Sequence, residues 1–228
     1  MINKCVCGCV DFIYISTQFN FNLKKCSDCN IIIQDIDENE DIDKFYYEKY
    51  HTQSYTHSYE LDYSIAEKRL SNYQFILNKL KSPVILDIGS GNSAFVDYLV
   101  NNGYEYTFGI EPGLQIKRNN VIRSNLLDYK PINQFDVITI HDVLEHFVDP
   151  TENMKKITAL TKPNGYFILD FPNFFSNNGM HHWKRIEHIW CFNESQLISF
   201  VSSFGYILIK KIYPVDSKIT LFFKRTSE

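Results

Sequence analysis

Apolar and polar residues alternate along this chain with two different periods. Short apolar runs of strand length are separated by segments in which apolar residues recur at the spacing of an amphipathic helix. The runs lie at residues 84–88, 106–110, 120–123, 135–140 and 166–171. Strands that alternate with helices favour a largely parallel sheet with helices on both faces. The pattern therefore predicts an α/β fold whose ligands bind at the carboxyl edge of the sheet.

Further elements are predicted on both sides of these strands. Apolar residues between Leu61 and Leu80 recur near helical spacing, which predicts an amphipathic helix packed on the sheet. Another helix is predicted over residues 194–204, and Gly205 is a typical residue at which a helix ends. Two predicted strands follow, at residues 206–212 and 218–223.

Length and charge limit the functions that this fold can serve. The 228 residues suffice for one α/β core with a small appendage, and the net charge of -4 argues against a nucleic-acid surface. We see no apolar run long enough to cross a bilayer and no secretory signal at the start. We expect a soluble cytoplasmic protein without membrane insertion. Its expected parts are a cysteine-rich segment (1–34), an acidic linker with N-terminal helices that cover a cofactor site (35–82), and the core (83–228).

The first core strand ends in an acid and a glycine loop. Asp87 precedes Gly89 and Gly91, and an amphipathic segment begins directly after the loop. Glycines let the backbone approach a ligand closely, and the N–H groups of a helix start point at that ligand. The loop also satisfies the loose dinucleotide pattern, with alanine at its third position. A carboxylate at Asp87 would repel a pyrophosphate, whereas it would attract the ammonium and sulfonium groups of S-adenosylmethionine.

A second acid follows the next predicted strand. Glu111 stands about 20 residues after the glycine loop, where an acid accepts hydrogen bonds from the ribose hydroxyls of a nucleotide cofactor. The alternative is a strand-turn-helix with a solvated acid at each strand end. Glycine spacing together with the two acids favours the cofactor pocket.

The order and spacing of several motifs resemble class I S-adenosylmethionine-dependent methyltransferases. These motifs are residues 87–91, 109–112, 135–138, 143–147 with Pro150, 162–166 and 171–173. Residues 45–51 and 187–193 are similar to a subgroup with many bacterial sugar and small-molecule methyltransferases. The resemblance covers nearly the whole chain. It implies a Rossmann-like sheet that is mostly parallel, with an antiparallel last strand and helices on both faces.

The resemblance also assigns residues to the cofactor site. Asn125 and Leu126 match positions that flank the adenine, with a plain strand-end turn as the alternative. His141, at the end of the fourth strand, is placed beside the methyl donor. The segment before the core folds over the cofactor in the resembled family, so a tyrosine there, Tyr50 or Tyr55, contacts the donor or the substrate unless its aromatics only pack a helix. Ser93 stands where the family often has a third glycine, and it fits if its backbone angles are helical.

Candidate chemistry follows the fourth strand. Asp142, Glu145 and His146 are spaced to share one face of a helical turn, which permits a metal or a proton relay. The arrangement resembles ubiquinone-biosynthesis O-methyltransferases, where it holds a divalent cation, but an aspartate replaces their first glutamate. The sequence therefore leaves Mg²⁺ binding undecided. The alternative is that Glu145 and His146 cap and brace the helix. Methylation of an oxygen needs a base that removes the proton of the hydroxyl group. We predict that His146 and His188 are the bases and that Asp142 is a further catalytic residue. His188 has the alternative role of locking its loop.

Cysteines crowd the first part of the chain. Cys26 and Cys29 have the spacing of a zinc knuckle, and a second pair must come from Cys5, Cys7 and Cys9. In a reducing compartment such crowding indicates a metal. We predict Cys5 and Cys7, because the glycine after Cys7 resembles that of a knuckle. The resembled methyltransferases often carry an N-terminal zinc ribbon, which implies a structural Zn²⁺; a metal-free hairpin is the alternative.

These observations predict an S-adenosylmethionine-dependent methyltransferase. Its expected acceptor is an oxygen of a small polar molecule, such as a nucleotide-linked sugar or a surface-glycan precursor. Methylation of carbon or nitrogen is the alternative within the fold. An NAD-dependent oxidoreductase and a non-catalytic zinc-ribbon binding protein stand outside it, and the pair of Asp87 and Glu111 disfavours both.

Overall fold

The computed structural model describes residues 2–15, 21–36, 42, 45, 58–114 and 117–227. The predicted acidic linker beyond Ile36 falls mostly outside these ranges, and so do Tyr50 and Tyr55. The strands are β1 (Phe12–Ile15), β2 (Leu23–Cys26), β3 (Ile32–Gln34), β4 (Ile85–Ile88), β5 (Thr107–Ile110), β6 (Val121–Ile122), β7 (Phe135–His141), β8 (Thr161–Pro172), β9 (Trp190–Cys191), β10 (Tyr206–Val215) and β11 (Lys218–Arg225). The α-helices are α1 (Tyr59–Leu77), α2 (Ala94–Asn101), α3 (Pro150–Leu160) and α4 (Glu194–Ser202).

The core sheet has the strand order β10-β11-β8-β7-β4-β5-β6 within the described ranges. Strands β4 to β8 of this sheet pair in parallel, while β11 pairs antiparallel with both β8 and β10. All four residues of β4 are buried, as expected where helices cover both faces of a parallel sheet. The predicted α/β fold with an antiparallel last strand is confirmed.

Helix boundaries follow local capping chemistry. The Ser58 hydroxyl accepts a hydrogen bond from the Leu61 backbone N–H at 3.1 Å and so caps α1, whose buried face includes Ala66 and Tyr73. Asn193 and Gln196 form a reciprocal capping box at the start of α4. This helix ends at Ser202, two residues before the predicted end. A turn then leads to Gly205, which has a φ of +82°.

Several strands differ in length from the prediction. β8 begins at Thr161 rather than residue 166, because Thr161 already pairs with Phe135. A register shift between Phe135 and Val137 accommodates the residues before Tyr166. β10 and β11 extend to Val215 and Arg225, since they form one long hairpin. The edge strand β6 is shorter than predicted and covers only Val121–Ile122.

The cysteine-rich segment forms a second sheet that includes a strand from the core. Its order is β1-β2-β3-β9, and β3 pairs with β9 through Ile32 opposite Cys191 and Ile33 opposite Trp190. Buried residues of both parts belong to one apolar cluster, in which Ile33 and Trp190 take part. No helix in the described part of the chain is long and apolar enough to cross a bilayer.

Candidate functional site

The glycine loop connects β4 to α2 in a conformation that only glycine adopts easily. Gly89 and Gly91 have φ values of +72° and +52°. A Cβ on Gly89 would lie 2.5 Å from Cγ2 of Val143, so a side chain is excluded there by space as well. Ser93 has a φ of +71°, which overturns the expectation of helical angles at this position. The left-handed conformation costs a non-glycine residue roughly 1–2 kcal/mol.

Glu111 is hydrogen-bonded to the glycine loop, and its predicted contact with ribose hydroxyls stays a prediction. Its Oε2 accepts a hydrogen bond from the Gly91 N–H at 3.0 Å, and its Oε1 accepts one from the Gly113 N–H at 2.8 Å. The carboxylate is half-buried. The ends of β4 and β5 are therefore joined at the carboxyl edge of the sheet.

Asp87 and His141 take part in a buried hydrogen-bonded chain. Oδ1 of Asp87 accepts a hydrogen bond from the Thr139 hydroxyl at 2.6 Å and lies 3.1 Å from Nδ1 of His141. A ring nitrogen beside a carboxylate carries the proton, so Nε2 of His141 accepts from the Tyr73 hydroxyl at 2.8 Å. Burial raises the pKa of Tyr73, which keeps this hydroxyl a donor. Direct contact of Asp87 or His141 with a ligand stays a prediction.

The two predicted adenine-flanking residues differ in exposure. Asn125 is exposed, whereas Leu126 is buried in the apolar core. The backbone N–H of Tyr129 reaches the carbonyls of both residues, at 3.1 and 3.3 Å, and closes a turn after β6. The contact of Asn125 and Leu126 with adenine stays a prediction, and the turn that was its alternative is present.

Asp142 follows β7 and is paired with a lysine from the last strand. It has a φ of +55°, and the helical turn expected to include it begins only at Leu144, so it does not share a helix face with Glu145 and His146. Lys218 donates a hydrogen bond to its Oδ2. Burial, the largest single effect, opposes ionisation of Asp142. The charge and hydrogen bond of Lys218, together with the charge of Arg69, outweigh burial and lower the pKa of this carboxyl to about 2.

Glu145, His146 and His188 form a compact group. Oε1 of Glu145 lies 3.8 Å from Nε2 of His146 and 4.0 Å from Nε2 of His188. Nδ1 of His188 donates to the carbonyl of His182 at 2.6 Å, which leaves the Nε2 lone pair toward Glu145. Neither carboxylate oxygen of Glu145 has a hydrogen-bond partner among the residues that the structure describes.

Burial controls the ionisation of this group. Burial raises the pKa of Glu145 well above its usual value, and burial followed by the nearby His146 lowers the pKa of His188 to about 3. One potential ligand atom from each of the three residues lies within 4.8 Å of the others. Two imidazoles and one carboxylate suit a transition-metal cation better than Mg²⁺. The sequence spacing places Asp142, Glu145 and His146 together, as candidates for a metal or a proton relay. The structure groups His188, not Asp142, with the other two.

Four of the cysteines converge at the end of β2. The sulfur atoms of Cys5, Cys7, Cys26 and Cys29 all lie within 4.8 Å of one another, and two pairs are 3.5 Å apart. Sulfur ligands about 2.3 Å from a tetrahedral Zn²⁺ are about 3.8 Å from each other. Cys9 lies outside the group, with its sulfur 3.4 Å from the Ser27 hydroxyl. The predicted selection of Cys5 and Cys7 agrees with this geometry.

The comparison with protein families decides the classification. Residues 58–211, more than half of the chain, match a family model described as a methyltransferase domain. The chain belongs to this methyltransferase family. The expectation drawn from the motifs is thereby confirmed for the family.

Curated relatives of this chain include ubiquinone biosynthesis O-methyltransferases. The protein of Stutzerimonas stutzeri is 32% identical over 95 residues, which are 36% of this chain and 40% of the relative. That of Bordetella avium is 27% identical over 125 residues, 49% of this chain and 52% of the relative. The chain thus spans about half the length of the curated relatives it matches, or less.

Solved structures share the fold at low sequence identity. A 1,6-didemethyltoxoflavin-N1-methyltransferase of Burkholderia thailandensis, with bound 1,6-didemethyltoxoflavin and S-adenosylhomocysteine, has a TM-score of 0.61 at 14% identity and covers 95% of this chain and 99% of its own. Magnesium protoporphyrin IX methyltransferase from Synechocystis, with bound S-adenosylmethionine, has a TM-score of 0.54 at 12% identity and covers 84% and 100%. These similarities support a methyltransferase fold.

Three charged residues at or near the carboxyl ends of β7 and β8 were not predicted from the sequence, namely Lys218, Arg69 and Asp170. Lys218 contacts Asp142, and Arg69 donates to Oδ2 of Asp170 at 3.1 Å. Lys218 could have been found, because the first residue of an antiparallel last strand lies at the carboxyl edge of its parallel neighbours. Arg69 lies on a helix that precedes the core, and no local pattern indicates that it reaches β8.

Proposed function

We propose that this methyltransferase-family protein transfers a methyl group from S-adenosylmethionine to an oxygen of a small polar acceptor. A nucleotide-linked sugar or a surface-glycan precursor is the acceptor that we favour. The donor side of the proposal is supported by the family match and by the loop in which Glu111 holds Gly91. S-adenosylmethionine supplies an electrophilic methyl group on a sulfonium, and the sulfur keeps the bonding electrons when that group leaves.

The proposed acceptor is supported by buried carboxylate oxygens that have no hydrogen-bond partner within the described ranges. Oδ1 of Asp142, Oδ1 of Asp170 and both oxygens of Glu145 are buried and accept no hydrogen bond within the described ranges. Asp142 and Asp170 are adjacent, since the Asp142 N–H donates to the Asp170 carbonyl at 3.1 Å. Buried acceptor atoms are costly unless a partner donates to them. A molecule with several hydroxyl groups would supply such donors at the carboxyl ends of β7 and β8.

The proton of the acceptor hydroxyl must leave as the new bond forms. We assign His146 as the base, because burial leaves His188 a weak base with a pKa of about 3. The His188 ring packs edge-on against His146, with 4.9 Å between ring centroids, and so supports its orientation. Asp142, kept ionised by Lys218, would accept a hydrogen bond from a neighbouring hydroxyl.

Calorimetric titration with S-adenosylhomocysteine, and with NAD in parallel, tests the donor site. We expect S-adenosylhomocysteine alone to bind, and Glu111→Gln to weaken that binding at least about tenfold because one acceptor oxygen becomes a donor. Glu105→Gln, an exposed glutamate just before β5, is the matched control and should leave the affinity unchanged. Binding of NAD alone would overturn the proposal.

Transfer of labelled methyl groups to a panel of nucleotide-linked sugars tests the acceptor. The product should carry an O-methyl group in its NMR spectrum, and His146→Gln should lower kcat about 10²–10⁴-fold while the affinity for S-adenosylhomocysteine stays the same. A product methylated on carbon or nitrogen would refute methylation of oxygen.

We also propose that Cys5, Cys7, Cys26 and Cys29 bind a structural Zn²⁺. The mutual distances of the four sulfur atoms support this assignment, and clustered thiols fit the expected reducing cytoplasm. Native mass spectrometry should find one zinc per chain. Cys26→Ser should lose it, whereas Cys9→Ser should keep it. Zinc retained by Cys26→Ser would contradict the assignment.

A further inference from the structure

One glutamine fastens the cysteine-rich sheet to the turn that carries His188. Gln34, the last residue of β3, is 2% exposed. Its Nε2 donates to the carbonyls of Lys184 and His188 at 2.5 and 2.6 Å, and its Oε1 accepts from the Ile186 N–H at 2.8 Å. The Gln34 backbone N–H also donates to the Ile189 carbonyl at 2.9 Å. One residue thus makes four hydrogen bonds to a segment about 150 residues away in sequence.

The turn that Gln34 holds is strained. Ile186 has a φ of +66°, a left-handed conformation that a β-branched side chain rarely adopts. Such a conformation persists only where the surroundings enforce it. The hydrogen bond from the Ile186 N–H to Gln34 acts at the strained residue itself.

The same turn determines where His188 lies. The Ile189 N–H donates to the Glu145 carbonyl at 2.8 Å, which ties the end of the turn to the residues after β7. Nε2 of His188 is thereby held 4.0 Å from Oε1 of Glu145, with its ring against His146. Displacement of the turn would move His188 away from both neighbours.

At its other end, Gln34 is connected to the cysteine cluster. It pairs with Leu23 of β2, the strand that ends at Cys26. The buried Lys24 of the same strand donates to Oδ1 of Asp35 at 3.0 Å, directly after Gln34. Strands β2 and β3 therefore connect the cysteine cluster with the turn that contains Ile186 and His188.

We infer that Gln34 is a positioning residue that fixes the His188 turn and links the cysteine-rich sheet to the acceptor side of the site. The catalytic consequence rests on the proposed function, whereas the hold on the turn does not. Gln34 touches no reacting atom. Its side chain fixes the backbone of the turn at Lys184, Ile186 and His188. The turn in that conformation positions the His188 ring, which packs against His146.

Hydrogen exchange of the 228-residue chain tests the inference. In Gln34→Ala, the amides of Ile186 and Ile189 should exchange roughly tenfold faster than in the wild type. Gln34→Met keeps the side-chain length and removes the same hydrogen bonds, so it serves if the alanine variant folds poorly. Gln196→Ala is the matched control: Nε2 of Gln196 also donates to the cysteine-rich segment, at the Cys29 carbonyl 2.9 Å away, without touching the turn.

Two further measurements separate positioning from general stability. Long-range proton–nitrogen spectra of His188 should show the Nδ1–H tautomer in the wild type and in Gln196→Ala, and a mixture in both Gln34 variants. Once an acceptor is known, Gln34→Ala should lower kcat about tenfold or more, with an unchanged KM for S-adenosylmethionine. Unchanged exchange and an unchanged tautomer in the Gln34 variants would overturn the inference. Failure of the wild type to bind S-adenosylhomocysteine would instead overturn the proposed function and leave the exchange result valid.

Discussion

At the scale of single residues, burial strongly affects the charge of the side chains near the carboxyl ends of β7 and β8. Glu145 is fully buried, and His182 and His188 are nearly so. Burial lowers the pKa of both histidines and raises that of Glu145, because each loses the hydration that stabilises its charged form. Asp142 is the exception, since the Lys218 charge keeps it ionised. The ion pairs of Asp142 with Lys218 and of Asp170 with Arg69 therefore lie near buried groups whose charged forms are disfavoured.

His182 provides a prediction of pH dependence. Burial, with a smaller contribution from His181, lowers its pKa from 6.5 to about 4 in the folded protein. Below pH 6.5 the unfolded chain binds a proton that the folded protein excludes until about pH 4. Stability should therefore be complete above pH 6.5 and fall as the pH decreases toward 4, with about one proton taken up by this residue on unfolding.

Urea unfolding at several pH values measures this dependence. His182→Gln should show a shallower loss of the free energy of unfolding between pH 6.5 and 4 than the wild type. His181→Gln changes the exposed neighbour and should keep most of the wild-type slope. Equal slopes for the wild type and His182→Gln would show that His182 does not remain neutral in the folded protein.

At the scale of elements, the junction of β4 and α2 depends on space as well as on backbone angles. Gly89 and Gly103 both have positive φ, at +72° and +90°. A Cβ on Gly89 would meet Val143 at 2.5 Å, whereas no described atom lies within 4 Å of a Cβ on Gly103. Val143 belongs to the segment after β7, so the glycine lets the loop after β4 and the segment after β7 approach each other.

This difference predicts unequal effects of two glycine substitutions. Gly103→Ala should cost roughly 1–2 kcal/mol of stability, the penalty of a left-handed non-glycine residue, and leave the affinity for S-adenosylhomocysteine unchanged. Gly89→Ala should cost more than its control and weaken that affinity at least about tenfold, because Val143 must move. Thermal unfolding and calorimetric titration of both variants provide the comparison. If Gly89→Ala and Gly103→Ala bind S-adenosylhomocysteine with equal affinity, the space that Gly89 leaves for Val143 does not matter for binding.

At the scale of the whole molecule, the cysteine-rich sheet and the core sheet share apolar packing. Ile33 of β3 is fully buried in the cluster that also contains Trp190, Phe192 and Leu197. A segment that lends buried residues to the core is expected to unfold together with it. The structure thus favours one cooperative unit over two independent ones.

A pair of isoleucines in the same sheet tests this cooperativity. Ile33→Ala should destabilise the entire protein by about 2–5 kcal/mol, the usual cost of a buried cavity. Ile13, in β1, is 54% exposed, and Ile13→Ala should cost less than about 1 kcal/mol. Calorimetry should show a single transition that shifts as a whole in Ile33→Ala. Two transitions, with only one of them shifted, would indicate separate units.

Local signals in the sequence were sufficient for the core sheet, and they directed attention to the glycine loop, Glu111 and the cysteines, whose roles as ligands stay predictions. Strands and helices follow from the period of buried positions, and a glycine loop or a cysteine pair is specified by neighbours only a few residues apart. The departure at Ser93 was not foreseeable, because its left-handed angle depends on how the loop packs rather than on its own preference.

The predicted strand order could have placed Lys218 at the carboxyl edge of the sheet, but only the tertiary structure decided which side chains meet there. Lys218 reaches Asp142, His188 replaces Asp142 beside Glu145 and His146, and Gln34 holds the turn before β9. These partners are between about 40 and 150 residues apart in sequence. Periodicity indicates which face of an element is buried, but contacts between distant side chains depend on strand order, register and loop conformation. Those are fixed only when the whole chain packs.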